Sequence, residues 1–261
     1  MKFNFKNKNV FISGGTHGIG LACAIKFASM GANIISFSRD KKKIFQTQKK
    51  LKKYKVKLLI YQGDILDENF IDKFSMNVIK KFKKIDILIH NVGGGGRWGQ
   101  KEFLKSENHT WVDVYNKNNY GLINFTRAFL PGMIRKRWGR VICIGSTSGI
   151  EAKLDDRPWF NSAKASQRAI IKSLSKKEYA SKNITFNLIS PGPIMIKDTG
   201  WDSFKKTNFK EYKKFVDTNI PLKKIGTPED VANLCLFISS NYASYINGSN
   251  FVIDGGMTSN I

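Results

Sequence analysis

Residues 13–20, with the sequence SGGTHGIG, have the composition of a backbone cradle for phosphate groups. Glycine is needed where a chain turns sharply and where its backbone must come close to a pyrophosphate. The segment follows a short apolar run and precedes a run with helical spacing, so a helix N-terminus would supply unpaired N–H donors. This context predicts a dinucleotide phosphate site that comprises Ser13, Gly14, Thr16, His17, Gly18, Ile19 and Gly20.

A second glycine-rich segment, GGGGRWG at residues 93–99, follows a later predicted strand. Four consecutive glycines carry a large ordering cost, which is acceptable where the chain must pass close to a ligand. Arg97 and Trp98 could then hold an anionic or sugar-like substrate by charge and ring stacking, and Arg157 is a further candidate. A flexible loop without a ligand is the alternative interpretation.

The elements that must position these segments follow from the hydrophobic pattern. Short apolar runs alternate with segments of helical spacing, which predicts a parallel sheet covered on both faces by helices. We therefore expect one α/β domain over residues 1–261, a Rossmann-type doubly wound fold. The predicted strands are residues 9–13, 33–38, 56–61, 85–89, 140–145 and 184–189, and the predicted helices are residues 18–30, 69–82, 111–137 and 162–181.

The irregular segment that follows the last predicted strand differs from this pattern. Residues 191–221 contain several prolines and many Lys, Thr and Asn residues. Ligands of doubly wound folds bind at the carboxyl ends of the strands, so an insertion here can cover them. We predict a substrate lid over about residues 193–221, and an idle surface loop is the alternative.

The glycine spacing resembles that of short-chain dehydrogenases/reductases, although Ser13 stands where that family usually has Thr. Asp64 resembles the family's adenine-contacting Asp, residues 90–93 (HNVG) its NNAG motif, and residues 191–192 its PG turn. The C-terminal segments PLKKIGTPEDVANLCLFISS and INGSNFVIDGG are similar to those of bacterial 3-oxoacyl-(acyl-carrier-protein) reductases. The resemblance covers essentially the whole chain. It implies a nicotinamide cofactor, with further contacts from Asp64, Ile65, Asn91, Gly93, Lys164, Pro191 and Gly192.

Members of this family use a Ser to hold the carbonyl oxygen, a Tyr to donate the proton, and a Lys four residues later. The resemblance assigns the Ser position to Ser146, the Lys position to Lys164, and a further catalytic-site position to Asn118. The Tyr position holds Phe160, whose phenyl ring cannot donate a proton. The resemblance thus implies a catalytic site of Ser146, Asn118 and Lys164 with an altered proton path at Phe160.

A replacement proton donor can be sought between Ser146 and Lys164. Glu151, Asp155 and Asp156 lie in this segment, and a carboxylic acid with a raised pKa could deliver the proton. Lys164 could also deliver it through water. Alternatively, these acids only cap and solvate a loop beside the site.

The choice of cofactor can be argued from charge at the end of the second predicted strand. NAD-specific sites place a carboxylate there to bind the ribose 2′-OH. This chain has Ser38 followed by Arg39, and an arginine can pair with a 2′-phosphate. His17 adds a basic group, so NADP(H) is the expected cofactor. Arg39 could instead be one more exposed cation.

The composition gives a formal net charge of +24. Lysines recur on nearly every polar segment, which favours a solvated basic surface, or one that attracts an acidic ligand, over a nucleic-acid site. No apolar run approaches the roughly 18 residues that span a bilayer, and Cys23, Cys143 and Cys235 are widely spaced. We therefore expect a cytoplasmic protein with no membrane partner, no nucleic-acid partner and no bound metal.

Two functions remain open at this stage. The first is an NADP(H)-dependent oxidoreductase for a carbonyl/alcohol pair, whose substrate is a small molecule or carrier-bound: a 3-oxoacyl thioester or a sugar derivative. The second is a non-catalytic NADP(H)-binding protein of the same fold, which the phenylalanine at residue 160 favours and the retained Ser146 and Lys164 oppose. The family resemblance also implies a homo-oligomer, most simply a tetramer, formed through the long helices and the C-terminal strand.

Overall fold

The computed structural model describes residues 3–100, 102–152 and 157–259. Within these residues, all strands run parallel in one sheet with the order β3-β2-β1-β4-β5-β6-β7. The strand order reverses direction between β1 and β4, which leaves a crevice at their carboxyl ends. The predicted single-domain, doubly wound α/β fold is therefore confirmed.

The bounds of the elements agree with the hydrophobic pattern to within a few residues. The hydrophobic pattern did not predict the helix at Lys41–Leu51, which is rich in lysine, or the strand at Asn250–Ile253, which is short. The strands are β1 Asn9–Ser13, β2 Asn33–Ser38, β3 Leu58–Gln62, β4 Ile87–His90, β5 Gly139–Ile144, β6 Ile184–Pro191 and β7 Asn250–Ile253. The helices are α1 Gly18–Ser29, α2 Lys41–Leu51, α3 Glu68–Phe82, α4 Asn108–Lys136, α5 Pro158–Ser175, α6 Gly200–Thr207, α7 Phe209–Asn219 and α8 Pro228–Ser239.

The sheet separates two apolar layers because successive side chains of a strand point to opposite faces. Val10 and Ile12 of β1 face the layer formed with α1 and α8, whereas Phe11 faces the layer formed with α3, α4 and α5. The strands are apolar almost throughout since both faces are covered. Among the described helices, none is both long and apolar enough to cross a bilayer.

Residues 193–221 are more ordered than the sequence suggested. Instead of an irregular segment, the structure has the helices α6 and α7. The two helices form an apolar cluster of their own, centred on Tyr212, Val216, Ile220 and Ile225 and joined by Trp201, Phe204 and Phe215. Sequence analysis missed them because each is short and has polar residues on its exposed side.

The α8 N-terminus is closed by a capping box. Thr227 caps the helix through its side chain, Pro228 occupies the first turn, and Asp230 completes the capping box by accepting from the Thr227 N–H. This arrangement satisfies backbone donors that have no partner within a helix.

Replacement of Phe11 tests the apolar layer that the sheet forms with α3, α4 and α5. Its fully buried ring packs against the rings of Phe37, Phe74, Phe125 and Phe129. We expect Phe11→Ala to lower the free energy of unfolding by about 3–5 kcal/mol, because it removes buried apolar surface and leaves a cavity. Denaturant titration measures this value. Leu104→Ala, at a residue that is 94% exposed, is the control and should change it by less than about 0.5 kcal/mol.

Candidate active site

A cavity of about 720 Å³ opens at the carboxyl ends of the strands. Such a volume is typical of a cleft for a small ligand or cofactor. The cavity brings together most of the residues that the sequence singled out. They are Gly14, Thr16, His17, Gly18, Ile19, Ser38, Arg39, Asp64, Ile65, Asn91, Gly93, Trp98, Ser146, Phe160, Lys164, Pro191 and Gly192.

The phosphate cradle lies where β1 turns into α1. His17 occupies the N-cap position but its side chain makes no capping hydrogen bond, and the first turn of α1 has no acidic residue. Within the described residues, the first N–H groups of α1 therefore have no side-chain cap, and Gly18 and Ile19 of this turn line the cavity. A Cβ atom on Gly20 would lie 2.3 Å from the Gly14 carbonyl oxygen, so only glycine allows this close turn. These features fit the pyrophosphate of a dinucleotide.

Ser13 has a different position from the other residues of the cradle. Its side chain is fully buried and does not line the cavity. Ser13 Oγ accepts hydrogen bonds from the backbone N–H groups of Asn91 at 2.8 Å and Val92 at 3.0 Å. Ser13 therefore holds the loop after β4 against the phosphate cradle. Gly20 and Asn118 likewise support the cavity without lining it.

Basic residues gather around the end of β2. Ser38, Arg39 and Lys43 line the cavity there, and the Arg39 guanidinium lies 3.5 Å from the Asp64 carboxylate in a solvent-exposed ion pair. Asp40 also lines the cavity, but its carboxylate caps α2 by accepting from the Lys43 N–H. The sequence did not mark Lys43 as a site residue, because Lys43 is one of three consecutive lysines. The one available signal was Asp40, which caps α2 and so places Lys43 in the first turn of that helix.

The charge of this corner affects His17. Burial lowers the pKa of His17, and the nearby Lys43 ammonium lowers it further. His17 is therefore uncharged at neutral pH and adds no positive charge to this corner.

Ser146, Phe160 and Lys164 lie together in the lining of the same cavity. Ser146 follows β5 and is half-buried, while Phe160 and Lys164 come from the first turns of α5. The Lys164 Nζ atom lies 5.9 Å from the centre of the Phe160 ring. It donates to the Gln167 Oε1 atom at 3.0 Å and to the Ile144 carbonyl at 3.3 Å.

Burial controls the protonation of Lys164, which is only 5% exposed. Loss of hydration lowers the pKa of Lys164 to about 8, although the neighbouring Cys143 thiol opposes the shift. Conversely, burial raises the pKa of Cys143 to about 12, so this thiol stays protonated. Lys164 can therefore exchange a proton near neutral pH.

Asn118 supports the site through both its side chain and its backbone. Its amide donates to the Gly94 carbonyl at 2.8 Å and accepts from the Gly94 N–H at 3.2 Å. A Cβ atom on Gly93 would lie 2.7 Å from Asn118 Oδ1 and 2.9 Å from Lys164 Nζ. The glycine run thus lets the loop pass against Asn118 and Lys164.

Gln167 and His90 also belong to the site, and sequence analysis gave neither a role in it. Both side chains are fully buried, and both donate to the Asn118 carbonyl oxygen, Gln167 from Nε2 at 2.7 Å and His90 from Nε2 at 2.8 Å. Burial lowers the pKa of His90 to about 4, so His90 is neutral. In sequence, Gln167 was one polar residue on the predicted helix, and no motif marked it.

The comparisons with known proteins agree with this geometry. Residues 14–258 match a family described as enoyl-(acyl carrier protein) reductase. The chain is 33% identical over 255 residues to a 3-oxoacyl-(acyl-carrier-protein) reductase of Buchnera aphidicola, which covers 97% of this chain and 98% of that protein. The chain belongs to the short-chain dehydrogenase/reductase family.

Other similar members of the family have different names. A 2,3-dihydro-2,3-dihydroxybenzoate dehydrogenase of Bacillus subtilis is 30% identical over 258 residues, 97% of each protein. The L-sorbose reductase of Gluconobacter frateurii, solved with NADPH and L-sorbose, superposes with a TM-score of 0.90 at 28% identity and covers the whole of both chains. The fold is thus shared by proteins named for different substrates.

The predicted substrate residues separate in the structure of this short-chain dehydrogenase/reductase. Trp98 lines the cavity, and the Lys117 ammonium lies 3.8 Å from the centre of one of its rings. Arg97 and Arg157 lie outside the cavity lining. Arg97 packs instead on α6, since a Cβ atom on Gly200 would lie 2.3 Å from its guanidinium.

The segment that carries α6 also contributes to the cavity, although no individual residue of it was predicted. Thr199 and Trp201 line the cavity from the start of α6, together with Ile194 and Ile196. The contact between Arg97 and Gly200 joins this segment to the glycine-rich loop.

Of the acids predicted as substitute proton donors, Glu151 is the one that lies among the described residues. The Glu151 carboxylate accepts from the Ser259 N–H at 2.8 Å, near the C-terminal end of the described chain, and Glu151 does not line the cavity. Asp155 and Asp156 lie outside the described residues. Lys164 is therefore the titratable group that the described structure places beside Ser146 and Phe160.

A substitution at Gly20 should weaken dinucleotide binding. In Gly20→Ala the new methyl group would collide with the Gly14 carbonyl and deform the phosphate cradle. We expect NADPH affinity, measured by fluorescence titration, to fall at least about tenfold. Gly132→Ala in α4 is the control, because its Cβ would meet no heavy atom closer than 3.5 Å. An unchanged affinity in Gly20→Ala would contradict the assignment of the cradle.

Proposed function

We propose that this protein is an NADP(H)-dependent oxidoreductase that interconverts a carbonyl and an alcohol. The observation that carries the proposal is Lys164, with its lowered pKa, beside Ser146 in a cavity whose other end is a phosphate cradle. NADPH, when bound, would supply the hydride. The protein's own residues would bind it, orient the carbonyl and provide the proton.

Four groups of residues would hold the dinucleotide. The N-terminus of α1 suits the pyrophosphate, and Asp64 with Ile65 suits the adenine. Arg39 and Lys43 suit a 2′-phosphate because their cations lie at the end of β2, where an NAD site would present a carboxylate. Asn91, Gly93, Pro191 and Gly192 would enclose the nicotinamide end, where Lys164 reaches the ribose. The NADPH in the L-sorbose reductase structure supports this choice.

The proton path in this proposal starts at Lys164. Ser146 Oγ would donate a hydrogen bond to the carbonyl oxygen, which gains negative charge as hydride arrives. The Lys164 ammonium would transfer a proton to that oxygen, directly or through one water, and would remain as a neutral amine. A pKa of about 8 suits this role, because a general acid works best when its pKa is near the operating pH. Water would then reprotonate the amine.

Two substrate classes fit the entrance of the cavity. The indole rings of Trp98 and Trp201 could pack against the ring of a sugar derivative or against an acyl chain. The similarity to 3-oxoacyl-(acyl-carrier-protein) reductases supports a carrier-bound thioester, and the basic surface suits an acidic carrier. The segment of about residues 193–221 would act as the lid, through Thr199 and Trp201.

We also propose that the protein works as a homo-oligomer in the cytoplasm. Val112 and Tyr115 on α4 and Val252 on β7 expose apolar surface in the isolated chain. These are the elements through which the family resemblance implies a tetramer.

Cofactor preference tests the charge argument. We expect Lys43→Ala to weaken NADPH binding about tenfold and to leave NADH binding within about twofold, because only NADPH carries the 2′-phosphate. Fluorescence titration with both nucleotides measures the two affinities. Lys42→Ala is the matched control, since Lys42 carries the same charge but is exposed and outside the cavity lining. Equal losses for both nucleotides in Lys43→Ala would contradict the 2′-phosphate assignment.

Turnover tests the proposed function itself. We expect the native protein to oxidise NADPH with a 3-oxoacyl thioester or a keto-sugar, and Phe160→Tyr to be faster by about 100-fold, because a phenol can donate a proton where a phenyl ring cannot. Phe160→Leu, which also lacks a donor, should remain within about threefold of the native rate.

Turnover in Phe160→Tyr alone, with equal NADPH binding by the native protein, Phe160→Tyr and Phe160→Leu, would contradict the enzyme and favour the non-catalytic function.

A further inference from the structure

Lys164 is the end of a buried chain of hydrogen bonds that begins at the phosphate cradle. Lys164 Nζ bonds to Gln167 Oε1 at 3.0 Å, and Gln167 Nε2 bonds to the Asn118 carbonyl at 2.7 Å. His90 Nε2 bonds to the same carbonyl at 2.8 Å, and His90 Nδ1 lies 3.4 Å from Ser13 Oγ. All these side chains are at most 5% exposed.

The donors and acceptors of this chain have one consistent assignment. A lysine ammonium only donates, so Gln167 Oε1 accepts and its Nε2 is the donor to the Asn118 carbonyl. His90 Nε2 must also carry its proton to donate to that carbonyl, which leaves Nδ1 as the acceptor for the Ser13 hydroxyl. The Asn118 carbonyl oxygen then accepts from two side chains, one on each neighbouring element.

Gln167 is therefore the link between Lys164 and the backbone of α4. Without the Gln167 amide, the described structure offers Lys164 Nζ one protein acceptor, the Ile144 carbonyl at 3.3 Å. A buried ammonium with too few acceptors is costly, so it either moves or loses its proton. An apolar side chain at residue 167 would remove the Gln167 acceptor and leave Lys164 Nζ with the Ile144 carbonyl as its protein acceptor in the described structure.

We propose that Gln167 is a positioning residue of the active site, which fixes the Lys164 ammonium beside Ser146 and sets its degree of protonation through a hydrogen bond. The inference deepens the proposed function, and only its consequence for catalysis rests on that function. Lys164 Nζ donates to Gln167 Oε1 whether or not the protein is an enzyme.

Few other groups near Lys164 could control its charge. On β4 the facing titratable group is His90, which is neutral because burial lowers its pKa to about 4. On β5 it is Cys143, whose thiol is protonated because burial raises its pKa to about 12. On α5 the Phe160 ring, with its centre 5.9 Å from Nζ, is uncharged. The Gln167 amide is thus the polar side chain best placed to change the protonation of Lys164.

The experiment measures the titration of Lys164 without cofactor or substrate. The folded protein is labelled briefly with acetic anhydride over a range of pH, and the extent of acetylation of the Lys164 peptide is read by mass spectrometry. The midpoint gives the pKa of Lys164, because only the neutral amine reacts. Gln167→Met removes the acceptor at similar volume, and Gln167→Glu replaces it with a charged acceptor. Thermal unfolding shows whether each variant is folded.

We expect the midpoint of Lys164 to fall by about one pH unit in Gln167→Met and to rise by about one or more in Gln167→Glu. Asn119→Leu is the control. Asn119 is an equally buried amide that bonds to the Ala163 carbonyl of α5 but not to Lys164, and its replacement should leave the midpoint unchanged.

Unchanged midpoints in the folded Gln167 variants would overturn the proposal, and so would an equal shift in Asn119→Leu. If Gln167→Met does not fold, the shift in Gln167→Glu decides. Shifted midpoints in a protein that shows no turnover would support the role of Gln167 and contradict the proposed function, so the two failures are distinguishable.

Discussion

The arrangement of the active site depends on the burial of one ammonium group. Lys164 lies in a low-dielectric layer between α5 and β5, where an unpaired cation would be unstable. The Ile144 carbonyl and the Gln167 amide meet this demand. Because their geometry is fixed by β5 and by the next turn of α5, the ammonium is fixed as well. The same burial gives Lys164 a pKa of about 8.

The phosphate cradle and the reaction end of the cavity are coupled through this layer. Ser13 holds the loop after β4 by two backbone hydrogen bonds, and Asn118 holds the next part of that loop through Gly94. His90 joins Ser13 to the Asn118 carbonyl. A cofactor seated on the cradle would therefore meet a nicotinamide pocket whose wall is positioned by the residues that also hold Lys164.

Much of the fold could be predicted because its signals are local. Apolar strand runs alternate with helical periods, and the glycines of residues 13–20 occupy a turn that excludes larger residues, as Gly20 shows. The positions of Ser146, Phe160 and Lys164 came from the resemblance to short-chain dehydrogenases/reductases and not from the pattern of this sequence by itself. The helices α6 and α7 were missed because their stability comes from an apolar cluster formed between them, which no single segment displays.

The polar network could not be predicted because it depends on which residues of β1, β4, α4 and α5 come into contact in the folded chain. Gln167 is three residues after Lys164 and 49 residues after Asn118, and only the packing of α5 on α4 makes it a bridge between them. The sequence predicted Arg97 as a substrate residue and Glu151 as a possible proton donor. The structure places the Arg97 guanidinium against Gly200, and the Glu151 carboxylate accepts from the Ser259 N–H. A charged side chain in sequence does not reveal its partner.

We propose that the Lys164 ammonium supplies the proton, and single-turnover reduction tests this claim. With enzyme in excess over NADPH and a saturating keto substrate, the rate of NADPH loss is followed by stopped flow between pH 6 and pH 10. The acid must be protonated to act, so we expect a constant rate well below the Lys164 pKa of about 8 and a fall of about tenfold per pH unit well above it. A rate that stays constant or rises through this range would contradict the claim.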